Sequence, residues 1–199
     1  MKSKIILTDA DGVCLDWEWA FSVWMQERNY VLRPDNKQSY YLHEHYEDLT
    51  PDGAKVLVKQ FNESAAIGFL PALRDAVYYV KKLHEEHGYV FHCITSLSKD
   101  TNAQKLRKRN IQKLFGKTAF TKFIILDTGA DKDLALAKYA GEELYWIEDK
   151  PQNADVGYQL GLKSLLIEHG HNMNHACSYP IVKNWKQIYE IVTGELITC

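Results

Sequence analysis

Five short apolar runs without polar alternation recur along the chain, and they constrain the fold more than any other feature of the sequence. They occupy residues 4–8, 89–95, 122–127, 144–148 and 163–167. Short unbroken runs of this kind are typical of strands buried on both faces of a parallel sheet. Helical patterns lie between them at residues 71–86, 100–109, 131–140 and 153–160. The sequence therefore predicts an α/β fold, a Rossmann-like parallel sheet with helices on both faces.

The segment from residue 17 to residue 70 departs from this alternation. Residues 16–29 predict a helix, residues 33–38 a loop and residues 47–61 one or two further helices, with no strand that matches the other five. We therefore predict a core domain made of residues 1–16 and 71–199, into which residues 17–70 are inserted as a small helical unit.

The composition is that of an ordinary globular protein and argues against two classes of function. The chain of 199 residues carries 24 basic and 26 acidic residues, and a net charge of -2 is unlike that of a nucleic-acid polymer binder. No apolar run approaches the ~18 residues that span a bilayer. The cysteines form no C-x-x-C pair; they are Cys14, Cys93, Cys177 and Cys199. We expect a cytoplasmic protein without a membrane partner, as a monomer or homodimer.

Side chains suited to phosphate chemistry follow the predicted strands, at the sheet edge where open α/β sheets bind ligands. Crowded carboxylates without His or Cys favour a hard cation, and we predict Mg²⁺. One aspartate can then attack phosphorus while a second passes a proton to the leaving oxygen. A lysine and a hydroxyl add contacts to the same phosphate. The residues concerned are Asp9, Asp11, Thr95, Ser96, Lys132, Glu148 and Asp149.

The order of these motifs, D-x-D-G, T-S, Lys and E-D-x-x-x-N, resembles that of the haloacid dehalogenase-like (HAD) phosphohydrolases over roughly residues 4–165. The resemblance implies that Asp9 is the nucleophile and Asp11 the acid/base. It also implies that residues 17–70 form a C1-type cap. The presence of Asp11 distinguishes the chain from the dehalogenases of this superfamily, which usually lack that acid. Thr95 and Lys132 match the phosphate-binding positions. The implied metal ligands are Asp9, the main-chain carbonyl of Asp11, and Asp149, and we place Glu148 at the same site.

A narrower resemblance is to the 5'(3')-deoxyribonucleotidases, carried by DADGVCLDW, ITSLS, ADKD, IEDKP and the HGHNMN stretch before a tryptophan and a final helix. It implies that Trp17 stacks on a nucleobase, that Ser96 joins Thr95 on the phosphate, and that the substrate is a nucleoside monophosphate. Lys150 stands at a substrate-binding position where that family has Arg, and Asn153 replaces an acid. The alternatives are a phosphatase or phosphomutase for sugar phosphates or other small phosphometabolites, and a non-catalytic binding protein of the same fold.

Other conspicuous residues favour structural roles. The spacing of Trp17, Phe21 and Trp24 predicts a helical stripe that packs the insertion. We expect His43 and His45 to be exposed in a polar stretch, and residues 106–110, LRKRN, to form the solvated face of a helix. A zinc site is disfavoured because no acid or cysteine accompanies the histidines in a fitting pattern; these are His169, His171 and His175.

Overall fold

The computed structural model describes residues 3–34 and 39–196, and the sheet it contains matches the predicted class. Six parallel strands lie in the order β3-β2-β1-β4-β5-β6. The five predicted strands are confirmed, and the sixth is a two-residue edge strand too short to leave a sequence pattern. The strands are β1 Ile5–Thr8, β2 Val90–Ser96, β3 Phe120–Leu126, β4 Tyr145–Glu148, β5 Lys163–Ile167 and β6 Ile181–Val182.

Eight α-helices and two 3₁₀ turns connect the strands within the described residues. The helices are α1 Trp17–Gln26, α2 Leu42–His45, α3 Pro51–Asn62, α4 Ala76–Glu85, α5 Thr101–Phe115, α6 Asp133–Leu136, α7 Pro151–Gln159 and α8 Trp185–Thr193. The 3₁₀ turns are Ala65–Gly68 and Ala137–Tyr139. None of these helices is both long and apolar enough to cross a membrane. Residues 35–38 of the predicted loop and Cys199 lie outside the described residues.

Strand alternation gives the sheet its two covered faces. In β1, Ile6 belongs to the large apolar cluster that includes residues of α4, α5 and α8, whereas Leu7 belongs to a second cluster with Leu136 and Trp146. Because successive side chains of a strand point to opposite faces, helices must cover both sides of this sheet. The central strand is therefore buried, and its carboxyl end is held in a fixed position.

Local signals explain where the helices begin, including two places where the predicted bounds differ. Asp100 caps α5 by accepting a hydrogen bond from the Ala103 amide, and the helix continues past the predicted end to Phe115. The helix predicted from residue 71 begins only at Ala76. The residues before it form a return segment, in which Leu73 donates from its amide to the Cys14 carbonyl. Backbone pairing with the segment that follows β1 therefore replaces the first turn of the predicted helix.

The helices between residues 17 and 68 pack around a cluster of aromatic rings. Trp17 stacks on Phe21 with ring centroids 4.8 Å apart, and Phe61 of α3 meets both Phe21 and Trp24 edge-on. Two contacts also join this unit to the loop after β2. The Asn62 amide donates to the Leu97 carbonyl at 3.2 Å, and Ser98 donates to Glu63 at 2.7 Å. The rings of the insertion thus belong to the same large apolar cluster as Ile6 of β1, and the insertion lies over the carboxyl end of the sheet.

Candidate active site

The carboxyl ends of the central strands open into a cavity of about 1080 Å³ between the core and the helices of residues 17–68. Most of the predicted site residues line it. They are Asp9, Asp11, Trp17, Ser96, Lys132, Glu148, Asp149 and Lys150. Thr95 does not line the cavity. Its Oγ1 atom is buried and has no hydrogen-bond partner among the described residues, whereas Ser96 donates to the Ala130 carbonyl at 2.8 Å.

A buried lysine that lines the cavity lies between two carboxylates. Lys132 is 2% exposed, and its Nζ atom lies 2.5 Å from Asp9 Oδ2 and 2.7 Å from Glu148 Oε2. Burial alone would lower the pKa of Lys132, but the two carboxylates outweigh burial and raise it. The lysine is therefore a permanent cation beside the predicted nucleophile.

Three carboxylates lie close enough together to hold a metal ion. One oxygen from each of Asp9, Glu148 and Asp149 lies within 4.8 Å of the others. Burial, together with the neighbouring acids, raises the pKa of Asp149 and of Glu148 to about 7. Such crowding of oxygen ligands is relieved by a hard cation, so the residues present fit Mg²⁺.

Glu148 accepts four hydrogen bonds from the described residues, whereas each oxygen of Asp9 has one partner, the Ala10 amide or Lys132. Oε2 accepts hydrogen bonds from Lys132 and from the Asn153 amide at 3.3 Å. Oε1 accepts from the backbone amides of Asp149 and Lys150. These bonds indicate that Glu148 orients Lys132 and the turn formed by Asp149 and Lys150.

Gly12 allows the first and last motifs to approach each other. Its φ of +68° lies in the left-handed region, which favours glycine. A Cβ atom at this position would overlap the carboxylate of Asp149. The glycine of D-x-D-G is therefore required both by the turn and by the space that Asp149 occupies.

The predicted acid/base is paired with an arginine that the sequence analysis placed on the surface. Arg107 is 0% exposed, and its Nη1 atom lies 2.5 Å from Asp11 Oδ1. Burial raises the pKa of Asp11, and the Arg107 guanidinium opposes that rise. The predicted solvated face at residues 106–110 is wrong for Arg107 and Asn110. The charged run spans more than one face of α5, and these two residues lie on the face packed against the core.

The loop after β5 completes the site with residues whose role the sequence left open. The Nε2 atom of His169 donates to the Gly12 carbonyl at 2.7 Å, and His171 is stacked on it with ring centroids 5.7 Å apart. The Asn172 amide donates to the Asp149 carbonyl at 2.7 Å. His175 instead lies 3.2 Å from Asp155. Burial lowers the pKa of His169 and of His171 and so favours the neutral form of both rings beside the turns of the first and last motifs.

Aromatic and basic side chains surround the part of the cavity nearest the insertion. Trp17 uses its Nε1 atom to donate to Asn62 and one ring face to stack on Phe21, while still lining the cavity. The expectation that His45 is exposed is wrong: it is 8% exposed and donates to the Ser39 carbonyl at 2.8 Å. The short helix α2 turns His45 inward. Other residues lining this region are Tyr40, Tyr41, His43, Lys55, Lys59, Arg74 and Lys150.

Arg107, His169 and Asn172 are the site residues that the sequence analysis did not assign. The last two follow the carboxyl end of β5, so the strand-end rule that selected the other motifs could have found them. Arg107 comes from the middle of a helix and carries no such signal. Its place in the site becomes visible only from the helix orientation.

Comparisons with known proteins find one curated relative and many similar structures. No family model matches the sequence. The chain is 26% identical over 157 residues to an uncharacterized 32.4 kDa protein from the Gp30-rIII intergenic region of Enterobacteria phage T4. The match covers 75% of this chain and 55% of that protein, so the chain spans about half the length of the curated relative.

Among solved structures, the chain is similar to a haloacid dehalogenase-like hydrolase of Streptococcus pneumoniae, with a TM-score of 0.63, 17% identity, and 98% of this chain and 99% of that one covered. It is also similar to a HAD family hydrolase of Deinococcus radiodurans with bound phosphate and sodium, with a TM-score of 0.58, 18% identity, and 97% of this chain and 96% of that one covered. The L-2-haloacid dehalogenase of Xanthobacter autotrophicus with covalently bound chloropropionic acid gives 0.61, 13% identity, and coverage of 98% and 100%. The chain therefore has the Rossmann-like α/β fold of the HAD-like hydrolases.

Proposed function

We propose that this protein is a Mg²⁺-dependent phosphomonoester hydrolase that works through an aspartyl-phosphate intermediate. The observation that carries the proposal is the placement of Asp9 beside Lys132 and Asp149 on one cavity floor. A nucleophilic carboxylate, a buried cation and a second carboxylate able to hold a metal are the parts that phosphoryl transfer requires. The phosphate bound in the Deinococcus neighbour is consistent with this class of ligand.

In the proposed first step, an oxygen of Asp9 attacks the phosphorus of the substrate. The bond between phosphorus and the leaving oxygen breaks, and protonated Asp11 gives its proton to that oxygen. Lys132 places positive charge beside the nucleophile, where it faces the oxygens of the transferring group. The products of this step are the free alcohol and a phosphorylated Asp9.

In the second step, Asp11 takes a proton from water as the water attacks the phosphorus. The bond from phosphorus to Asp9 breaks, inorganic phosphate is released, and both aspartates return to their starting states. Mg²⁺, held by Asp9, Asp149 and the main-chain carbonyl of Asp11, would supply charge that neutralises the phosphate oxygens. Glu148 and Asn172 would act by holding Lys132 and the Asp149 turn.

Asp11 favours phosphate hydrolysis over dehalogenation, the reaction named for the Xanthobacter neighbour. An alcohol is a poor leaving group that needs a proton, whereas a halide leaves without one. In this chain a carboxyl stands two residues beyond the nucleophile and lines the cavity. That placement supports the phosphomonoester proposal.

Within this class we propose nucleoside monophosphates as substrates. The support is the aromatic part of the cavity, where Trp17, Tyr40 and Tyr41 offer ring surface to a base. Lys150 lies 5.7 Å from the Tyr40 ring centroid, so a cation borders the same region. A cavity of about 1080 Å³ has room for a nucleotide.

The first experiment measures hydrolysis of an aryl phosphate by the purified protein with and without Mg²⁺. We expect turnover only with Mg²⁺, and Asp9→Asn should abolish it because the amide is not a nucleophile. Asp52→Asn is the control, since this carboxylate is 91% exposed on α3. Metal-independent turnover, or an active Asp9→Asn variant, contradicts the mechanism. No turnover of any phosphoester favours the non-catalytic binding class.

The second experiment screens nucleoside monophosphates against sugar phosphates by phosphate release. Trp17→Ala should raise KM for nucleotides by about 10-fold or more, because base stacking is worth about 1–3 kcal/mol, and leave sugar phosphates nearly unchanged. Trp19→Ala on the same helix is the matched control, because Trp19 is 56% exposed and does not line the cavity. Equal losses for both substrate classes would remove the stacking role from Trp17.

A further inference from the structure

Arg107 is a buried cation that the proposed mechanism does not use. It lies on the buried face of helix α5, next to the loop after β1, where its Nη1 atom pairs with Asp11 Oδ1 at 2.5 Å. Three residues further along the same helix, Asn110 donates to the Leu70 carbonyl at 3.0 Å. The helix face that carries Arg107 is therefore fixed against Leu70, which precedes the return segment, as well as against the first motif.

Stability alone is a poor explanation for this arginine. Removing a guanidinium from water is costly unless its donors are satisfied, and a single buried ion pair seldom stabilises more than apolar residues of the same volume. Only part of the Arg107 group is paired. Its Nε and Nη2 atoms have no hydrogen-bond partner among the described residues. The protein therefore keeps a buried and only partly paired guanidinium in contact with Asp11.

The ion pair engages one oxygen of Asp11 and leaves the other available. Arg107 bonds Oδ1, and no described residue is seen to donate a hydrogen bond to Oδ2. Asp11 lines the cavity, with its side chain 22% exposed. A carboxylate held by one oxygen keeps the rotamer in which its second oxygen can exchange a proton with substrate or water.

We infer that Arg107 is a positioning residue that holds Asp11 for proton transfer to the leaving group. The inference rests on the proposed phosphatase function and adds a residue to it. Its consequence is a dependence on leaving group: loss of Arg107 should matter most where the departing oxygen needs a proton. An alkoxide needs that proton, whereas para-nitrophenolate departs without it.

The test compares kcat/KM for glycerol 2-phosphate and para-nitrophenyl phosphate in Arg107→Met. Because kcat/KM reports the steps up to phosphorylation of Asp9, hydrolysis of the intermediate does not enter the comparison. We expect a fall of about 100-fold for the alkyl phosphate, within the usual range for general acid catalysis, and of less than about 5-fold for the aryl phosphate. Arg107→Lys should recover part of the alkyl activity.

Two controls separate positioning from charge and packing. Arg109→Met removes the same charge from an exposed position of α5, and Asn110→Ala removes a buried contact of the same helix face. Both should leave the ratio of the two kcat/KM values unchanged. In the Asp11→Asn background, Arg107→Met should cause no further selective loss, because the two residues act as one unit.

An equal loss on both substrates in folded Arg107→Met, or selective losses that multiply with Asp11→Asn, would overturn the inference while leaving the phosphatase proposal intact. If Arg107→Met does not fold, by circular dichroism and thermal melting, Arg107→Lys is compared with the wild-type protein instead, and it should show a smaller loss that is again confined to the alkyl phosphate. A wild-type protein that hydrolyses neither substrate overturns the proposed function and the inference with it.

Discussion

Gly12 lies where the first motif packs closely against Asp149 of the last motif. Gly12→Ala would strain a backbone at φ +68° and drive a methyl group into the Asp149 carboxylate. We expect kcat/KM with Mg²⁺ to fall by about 100-fold, since a displacement of about 1 Å at a catalytic group has this effect. Mg²⁺ affinity, measured by calorimetry, should weaken in parallel.

The matched control is Gly141→Ala. Gly141 has a similar φ of +75°, but an added Cβ atom would meet nothing within 4 Å. It shares the backbone strain without the collision. If both variants lose the same activity, general destabilisation explains the result and the specific need for space beside Asp149 is refuted.

The acids of the last motif predict how Mg²⁺ binding depends on pH. Burial raises the pKa of Asp149 and of Glu148 to about 7. In the metal-free protein these carboxyls stabilise the fold at low pH, and that contribution is lost as the pH rises through about 7, because unfolded carboxyls ionise near pH 4. Mg²⁺ requires the ionised forms. Saturating Mg²⁺ should therefore raise the melting temperature more at about pH 8 than at about pH 6.

Differential scanning fluorimetry of Asp149→Asn provides the comparison for this prediction. The variant lacks one of the two titrating carboxyls. The rise in melting temperature caused by Mg²⁺ should therefore differ less between the two pH values than it does in the wild-type protein. An equal Mg²⁺ effect at both pH values in the wild-type protein would show that these carboxyls do not control metal binding.

The sequence predicted which candidate site residues lie close together where those residues follow the strands of the sheet. Asp9, Lys132 and Asp149 could be placed together because parallel strands present their carboxyl ends at one edge. Arg107 could not, because a run such as LRKRN does not reveal which helix face is turned inward. His45 was mispredicted for a similar reason: its burial depends on how a four-residue helix docks.

At the scale of elements, the packing of α7 against the sheet depends on a glycine. A Cβ atom on Gly157 would overlap Trp146 of β4 and lie 2.9 Å from Ser164 Oγ of β5. Gly157→Ala should lower the free energy of unfolding by about 1–3 kcal/mol, the usual cost of overpacking. Urea denaturation is the measurement. Gln159→Ala, exposed on the same helix, should change it by less than about 0.5 kcal/mol, and an equal effect of the two substitutions would contradict the close approach.

Element boundaries were least predictable where tertiary contacts compete with helix propensity. Residues 71–75 continue a helical pattern, yet backbone pairing between Leu73 and Cys14 delays α4 to Ala76. Asp75 then accepts hydrogen bonds from the amides of Trp185 and Lys186, at the start of the last helix. That contact joins residues 110 positions apart, so no local pattern could indicate it.

The overall arrangement of the molecule depends on contacts between the helical insertion and the core, and Asn62 makes one of them. It accepts from Trp17 and donates to the Leu97 carbonyl. Asn62→Ala removes the buried hydrogen bond to Leu97 and leaves the partly buried indole N–H of Trp17 unpaired. It should lower the free energy of unfolding by about 1–3 kcal/mol and raise KM, because Trp17 loses its anchor. Gln60→Ala, an exposed position on the same helix, is the control. Unchanged KM and stability in Asn62→Ala would show that the insertion is positioned by other contacts.

The fold class followed from the alternation of strands and helices, and the helices of the insertion followed from the helical patterns at residues 16–29 and 47–61. The shape of the cavity did not. It depends on how α1 and α3 lie over the sheet and on the loop after β5, whose Asn172 and His169 hold the turns of the last and first motifs. Such long-range placement is set by packing, for which a single sequence carries little signal.

The proposed mechanism requires that Asp9 becomes phosphorylated during turnover. The direct measurement is a rapid acid quench of the protein with an aryl phosphate and Mg²⁺, followed by peptide mapping by mass spectrometry. We expect one phosphoryl group on the peptide containing Asp9, formed within the first turnover and lost as substrate is consumed. Release of phosphate with no labelled Asp9 at any quench time, or labelling of another residue, would contradict it.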